Sequence, residues 1–507
     1  MSLTLQTAAT ILYEHHLLRE IITRDSWTLN PASIANCDEE FSDMTYNSLQ
    51  ITQGSLLFCK GRFKPEYLAH ADELGLAAYV ATEDFSQYTA APGLIVTNAS
   101  QAMSLLSAAY YEYPQDELTV IGITGTKGKT TTAYLAHAML NAASGNKAAL
   151  FSSVDNCLDG VTYDESDLTT PESLDAFRMM REAADNGMQY LIMEVSSQAY
   201  KVNRVYGLQF DAAGFLNISP DHISPIEHPT FEDYFYCKRQ IVQHTNTLVL
   251  GKDCAHADLI EQDAQLNHVP VTTFAVDGDG ADITAVCAND THTEFTLMQH
   301  GVTLGTCSLA LDGDFNYANA AAAVALTQAV GVPVTQPILD AMSTVRIAGR
   351  MEEFRSGDML AIVDYAHNFA STSALIDFID QRYGERHPNI TLVTGSAGNK
   401  AVDRRKEIVE AAQNRVDHLI LTYEDTDTES VEDICRAMLG FVTNPQLDAR
   451  IILDRTQAIE TAVREARERD GMQVILVIGK GNERWIKAHN KHVPYEGDDR
   501  IIERLFA

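Results

Sequence analysis

Apolar residues along this chain fall into two rhythms, short unbroken runs and spacings of three to four residues, which alternate over most of its length. Unbroken runs of four to eight read as buried strands, and the wider spacing reads as one face of a helix. The first part predicts strands at Ser55–Cys59 and Leu76–Val80 and a helix at Gln101–Tyr110. The segment Tyr111–Leu118, centred on Pro114, breaks the pattern and marks a boundary. Beyond it come a strand at Leu118–Ile123, a helix at Thr130–Ala142 and a strand at Gln189–Glu194. A β-rich stretch, Val269–Leu311, interrupts the alternation before an Ala-rich helix at Asn316–Val330. From about Val345, apolar runs at Leu360–Val363, Ile390–Thr394, His418–Leu421, Ile451–Leu453 and Gln473–Ile478 alternate with helical stretches. The clearest of these is Ala458–Arg467, with Ile459, Ala462, Val463 and Ala466 on one face.

Strands alternating with helices predict an α/β chain with mostly parallel, doubly wound sheets. At 507 residues the chain exceeds one ordinary core. Three domains are expected, at 1–114, 115–344 and 345–507.

Composition narrows the function. No run of about 18 apolar residues predicts a membrane-spanning helix, and Glu14, His15 and His16 break up what would be a secretory signal. The eight cysteines are scattered without a CxxC pair, which speaks against a zinc site or disulfide framework and fits a reducing cytoplasm. A formal charge of −33 is opposed to nucleic-acid binding. It also requires that any anionic ligand be held by local Lys, Arg, metal ions and backbone N–H groups.

The strongest local signal is Gly122-Ile-Thr-Gly125-Thr126-Lys127-Gly128-Lys129-Thr130-Thr131-Thr132, between a predicted strand and a predicted helix. Glycines let the backbone wrap phosphates, the helix N-terminus adds positive potential, Lys129 adds charge and Thr130 can reach Mg²⁺. Ile123 stands where the usual spacing has Gly, so this is a variant phosphate loop.

Together with further blocks, this loop resembles the Mur ligase family. Those blocks are Thr169-Thr170-Pro171-Glu172, Glu194-Val-Ser-Ser197, Asp221-His222, Lys238-Arg239, Asn316-x-x-Asn319, Gly349-Arg350 and Asp364-Tyr-Ala-His367, in the family's order. The resemblance runs from about residue 45 to the C-terminus, and the TTPE and EVSS blocks point to the branch adding the third peptide residue. It implies a small α/β N-terminal UDP-binding domain, a central P-loop ATPase-like parallel-sheet domain and a C-terminal Rossmann-like domain.

The resemblance also implies roles. Gly125, Thr126, Lys127, Gly128, Lys129, Thr130, Thr131, Asn319, Arg350 and Asp364 would contact ATP. Thr130, Glu194, His222 and Lys238 would serve two Mg²⁺ ions, with Lys238 carbamylated to N6-carboxylysine, and Lys129, Glu194, His222 and Lys238 form the catalytic set. Read without the family, Glu194 is a strand-end carboxylate, His222 a hydrogen-bonded structural histidine and Lys238 a snorkelling surface lysine. Thr169, Thr170, Ser196, Arg204 and Lys238 match contacts to the muramoyl peptide, and Ser48 a uridine-side contact. There the chain departs from the family, reading Asn47-Ser48-Leu49 for Asp-Ser-Arg and Gln198 for a His.

The implied reaction is activation of the D-Glu side-chain carboxylate of UDP-N-acetylmuramoyl-L-alanyl-D-glutamate as an acyl phosphate, followed by attack of an amine. A cytoplasmic monomer without membrane insertion is expected, closing its domains before chemistry. Relatives that add meso-diaminopimelate carry Asp-Asn-Pro-Arg where this chain has Glu424-Asp425-Thr426-Asp427. Aspartate in place of that arginine favours an ammonium over a carboxylate. L-Lysine is therefore expected, with Glu424, Asp427 and Glu483 as contacts; ornithine satisfies the same argument, and meso-diaminopimelate is the alternative. On residues alone, the acidic stretch also reads as a solvated helix start. Lys400 stands near the family's Arg for the amino acid's α-carboxylate. Rival readings are a folylpolyglutamate synthetase-like ligase, a P-loop regulatory protein that hydrolyses ATP without ligation, and a silent paralogue.

Overall fold

The computed structural model describes residues 3–224, 227–277, 280–287, 294–311, 313, 315–399, 402–489 and 491–507. Its contacts divide it into two units: Met1–Ser219, Phe235–Ser308 and Tyr317–Ser343 in the first, Pro220–Tyr234, Leu309–Asn316 and Thr344–Ala507 in the second. Among the described residues no helix is long and apolar enough to cross a membrane.

The first unit carries two sheets. One runs, edge to edge, Trp27–Thr28, Leu18–Ile22, Gly93–Val96, Ala78–Ala81, Ser55–Cys59, Asp43–Thr45. Its last four strands are parallel and the N-terminal hairpin closes one edge antiparallel. Ser55–Cys59 is buried along its whole length, as its unbroken apolar run demands. Leu56 and Phe58 pack with residues of helices Leu5–Glu14 and Ala99–Tyr110, while Leu57 and Cys59 fill the opposite face.

The other sheet has seven parallel strands in the order Ala148–Phe151, Tyr190–Glu194, Thr119–Thr124, Ala212–Phe215, Leu248–Gly251, Val271–Val276, Ile283–Cys287. Antiparallel strands extend both of its edges. From Thr119–Thr124 the chain winds first to one side and later returns to the other. This strand is thus a switch point, where open α/β sheets leave a crevice at the carboxyl ends of their strands.

The second unit holds a sheet ordered Glu352–Ser356, Met359–Asp364, Gln473–Ile478, Asn389–Thr394, His418–Leu421, Asp448–Ile451, parallel except for its first hairpin. Helices Phe369–Tyr383, Asp403–Ala412 and Val431–Leu439 cover one face, and Arg455–Arg467 and Asp498–Phe506 the other. The strand expected at Ile451–Leu453 lies earlier, at Asp448–Ile451. It is an edge strand on which Asp448 and Arg450 alternate with Ala449 and Ile451, so no apolar run reveals its start. The helix expected from Ala458 begins at Arg455, capped by Asp454.

Arg455 explains why that first turn is hidden: it is a charged residue placed in the core, 2% exposed. Its guanidinium forms two bonds to the wholly buried Asp498, at 2.8 and 2.6 Å. It also donates to the carbonyls of Tyr423 and Ile478, fixing the ends of two strands. Removing one partner of such a pair leaves an uncompensated buried charge, at a cost of about 3–5 kcal/mol. Asp498→Ala should lower the stability of the second unit by that amount in denaturant unfolding. Glu460→Ala, which breaks an exposed pair with Arg504, should cost about 1 kcal/mol or less. Equal effects would contradict this reading.

Candidate active site

Strand Thr119–Thr124 ends in Gly125–Gly128, which turns the chain into helix Lys129–Ser144. Gly128 caps that helix at φ +83°, and a Cβ there would lie 2.3 Å from Asn319 Oδ1. Only glycine suits both the backbone and the space. The loop is braced from Asn217, whose side chain accepts from the Lys127 N–H at 2.9 Å and donates to the Lys127 carbonyl at 3.0 Å. Thr126 exchanges hydrogen bonds with the backbone of Ser219. Thr131 is half-buried on the first helical turn, and Thr132 reaches Asn319 at 3.4 Å.

Two ammonium groups converge on this loop. Lys129 Nζ donates to the carbonyls of Gly125 and Thr126 at 3.0 and 3.2 Å. Lys238 Nζ, from helix Phe231–Arg239, donates to the same Gly125 carbonyl at 2.9 Å and to Thr124 Oγ1 at 3.5 Å. Lys238 is 2% exposed, which overturns the snorkelling alternative. Sharing one acceptor holds the two cations within about 6 Å of each other. At an effective dielectric of about 20, their repulsion is about 3 kcal/mol or more. An anion brought to this point would relieve that repulsion.

Hard oxygen donors stand alongside. Glu194, the last residue of its strand and 1% exposed, accepts from the Ser153 N–H at 2.8 Å. The hydroxyls of Ser153 and Thr130 are 3.0 Å apart. Sequence reasoning missed Ser153 because no motif marks it, and missed the bracing role of Asn217. Thr170 Oγ1 donates to the Glu194 carbonyl at 2.9 Å and accepts from the Ser196 N–H at 3.0 Å. Arg204 reaches the Thr170 carbonyl at 3.3 Å. Thr170, Ser196 and Arg204 are thus bonded together beside the end of strand Tyr190–Glu194, with the half-buried Thr169 next in the chain to Thr170. Ser48 stands in a separate turn, Ser48–Gln50, capped by Asn47.

The second unit contains the remaining candidates. His222 has φ +57°; its Nδ1 is 3.1 Å from Glu227 and its ring stacks on Tyr234. Its neighbour Asp221 is bonded to Arg404 and Asn368. Asp364, at the end of its strand, accepts from the N–H groups of Met351 and Ala366. The Arg350 guanidinium lies 4.7 Å over the Tyr365 ring. Lys400 lies outside the described residues.

Residues 424–427 are a loop ahead of helix Val431–Leu439, with Glu424 and Thr426 buried, so they are not a solvated helix start. Glu424 Oε2 is buried without a hydrogen-bond partner. Burial raises its pKa above the usual carboxylate range, against the pull of Arg455. A side chain at Gly395 or Gly479 would strike Glu424 at 2.8 or 2.6 Å. Lys480 is buried between Asp425 and Glu483 and lies 4.3 Å over the Trp485 ring. Burial pushes Glu483 up to about 7 despite Lys480, with Asp425 and Glu424 adding like charge. Asp427, at φ +54°, has its carboxylate 3.8 Å from Lys487. Four carboxylates thus share two lysines, while Arg455 and Arg404 are matched by Asp498 and Asp221. Burial and neighbouring carboxylates raise the pKa of both Glu424 and Glu483, a condition that a nearby cation would relieve.

Gly128→Ala should weaken nucleotide binding at least about tenfold by displacing Asn319 and straining the helix start. Titration with a fluorescent ATP analogue, alongside an unchanged circular-dichroism spectrum, checks this; wild-type affinity would contradict it.

The chain matches the Mur ligase middle domain over residues 123–327 and the Mur ligase glutamate ligase domain over residues 349–481. It is 62% identical to a UDP-N-acetylmuramyl-tripeptide synthetase of Bifidobacterium longum, across 100% of both chains. It is 38% identical to the UDP-N-acetylmuramoyl-L-alanyl-D-glutamate–L-lysine ligase of Enterococcus faecalis, across 99% of each. Among solved structures, a UDP-N-acetylmuramoyl-L-alanyl-D-glutamate–2,6-diaminopimelate ligase shares the fold with a TM-score of 0.64 at 20% identity, across 100% of this chain and 99% of that one. With its phosphate loop, strand-end glutamate and buried lysine in family order on this fold, the chain belongs to the Mur ligase family.

Proposed function

We propose that this ligase joins L-lysine to the D-glutamate side-chain carboxylate of UDP-N-acetylmuramoyl-L-alanyl-D-glutamate, using ATP, in the assembly of peptidoglycan precursors. The observation that carries the reading is a two-lysine phosphate loop in one unit and a cluster of carboxylates around Lys480 in the other. A nucleotide-linked acceptor and ATP place the reaction in the cytoplasm.

The residues present fit Mg²⁺ and the lysine carbamate. Thr130 and Glu194 offer oxygen donors of the kind magnesium takes, joined through Ser153. Lys238 offers a buried amine beside the loop. Adding CO₂ to it would replace a repelling cation with an anionic oxygen ligand. His222 is assigned to the second ion. Bound magnesium would neutralise charge on the phosphates.

The chain's own groups do the rest. Loop N–H groups and Lys129, leaving its carbonyl partners, bind and orient the β- and γ-phosphates. Thr170, Ser196 and Arg204 hold the acceptor so that its carboxylate oxygen meets the γ-phosphorus. Transfer gives an acyl phosphate and ADP. The lysine α-amine then attacks the acyl carbon, loses a proton and expels phosphate. Glu424, Asp427 and Glu483 hold the distal ammonium. A diaminopimelate carboxylate would meet their like charge instead.

Phosphate release should therefore depend on the UDP-muramoyl dipeptide and be at least about tenfold faster with L-lysine than with meso-diaminopimelate. Faster turnover with diaminopimelate would overturn the assignment. A second expectation concerns pH. Because Glu483 titrates near 7, it is charged above that value and neutral below it. The KM for lysine should rise as pH falls from 8 to 6, and Glu483→Gln should flatten that dependence. An unchanged slope in the variant would exclude Glu483 as a contact.

A further inference from the structure

Glu172 closes the Thr169-Thr170-Pro171-Glu172 block, and the mechanism above gives it no role. In the structure its two oxygens are taken by two cations from different parts of the first unit. Lys60, just beyond strand Ser55–Cys59 of the first sheet, donates to Oε2 at 2.5 Å. Arg204 grips Oε1 through Nε at 3.0 Å and Nη2 at 2.9 Å. All three side chains are at most 20% exposed. The Lys60 ammonium also lies 5.0 Å over the Tyr46 ring, and the Tyr46 hydroxyl donates to Asp175 at 2.7 Å, one turn further along the same helix start. Burial alone would raise the pKa of Glu172, but Arg204 and Lys60 outweigh it and hold the carboxyl below its usual range.

Glu172 thus links two regions. On one side is the first sheet, through Lys60 and Tyr46. On the other are Arg204, the Thr170 carbonyl and, through Thr170 Oγ1, the carbonyl of Glu194. An arginine has several rotatable bonds and loses considerable freedom when fixed. A carboxylate gripped by both Nε and Nη2 selects one orientation of the guanidinium plane.

We propose that Glu172 is a positioning residue for the acceptor, and that Lys60 and Arg204, held on its two oxygens, form a paired cationic rest for an anionic group of the muramoyl peptide. The proposal rests on the function assigned above. Neither Glu172 nor Lys60 touches the phosphate loop. Their effect therefore falls on acceptor binding and not on the phosphoryl-transfer step.

The test is steady-state kinetics on the full chain with ATP, Mg²⁺, L-lysine and UDP-N-acetylmuramoyl-L-alanyl-D-glutamate. Glu172→Gln, of equal size but without charge, should raise the acceptor KM about tenfold and leave kcat and the ATP KM within about twofold. Lys60→Met, which spares the Arg204 contact, should raise the acceptor KM in the same direction. The double variant should be no worse than Glu172→Gln alone, because both act through one cluster. Glu172→Asp should recover part of the loss. A purely structural role would lower the melting temperature with an unchanged acceptor KM. That result, or a fall in kcat at constant KM, would overturn the proposal while leaving the function standing. If the wild-type chain turned over no UDP-muramoyl acceptor, the function and this inference would fall together. If Glu172→Gln failed to fold, a wild-type acceptor KM in Lys60→Met would be enough to refute it.

Discussion

One carbonyl oxygen, that of Gly125, accepts from two ammonium groups, the buried Lys238 at 2.9 Å and the half-buried Lys129 at 3.0 Å. Most of the first unit's local architecture serves that convergence. The parallel sheet brings the loop to the mouth of its switch-point strand, and Asn217 and Ser219 hold the loop open. Helix Phe231–Arg239 carries Lys238 into a place where, unmodified, it repels Lys129. In a chain with a formal charge of −33, such a concentration of positive charge is a local device. On the function proposed above, a polyphosphate, or a carbamate on Lys238, would relieve it.

The second unit uses charge the opposite way. A buried arginine, neutralised by Asp498, ties the carbonyls of Tyr423 and Ile478 and so fixes the starts of the two loops bearing Glu424 and Glu483. The acids themselves crowd together, and burial raises the pKa of Glu424 and Glu483. Glycine at 395 and 479 leaves room around Glu424 that any side chain would fill. On the function proposed above, these acids would favour a basic amino acid, gaining from an added ammonium and losing from a carboxylate.

Much of this could be read from the sequence, for identifiable reasons. Central strands buried on both faces announced themselves as apolar runs: Ser55–Cys59, His418–Leu421 and Gln473–Ile478 fall where the pattern puts them. Short strands at or next to sheet edges did not, because polar residues interrupt them; Asp155–Cys157, Tyr163–Glu165 and Asp448–Ile451 carry no such run. The phosphate loop was legible because its chemistry is contiguous. Lys238 was legible only through its neighbours in the family pattern, since burial of a single lysine leaves no local trace. Ser153, Asn217, Lys60, Asp425 and Lys480 were missed: each acts through a partner distant in the chain or through the backbone. Glu172 stood inside a recognised block, yet its two cations come from residues 60 and 204, a pairing that only the fold reveals.

On the proposed function, the lysine pair at Gly125 holds a metal-bridged polyphosphate and Lys238 acts as an anion. A high-resolution crystal structure grown with Mg²⁺, a non-hydrolysable ATP analogue and bicarbonate tests it most directly. In that structure Lys129 Nζ should have left the loop carbonyls for the phosphates, with density for a carboxylate on Lys238 Nζ directed at a magnesium ion. Phosphates bound elsewhere, with Lys129 and an unmodified Lys238 still sharing the Gly125 carbonyl, would contradict it.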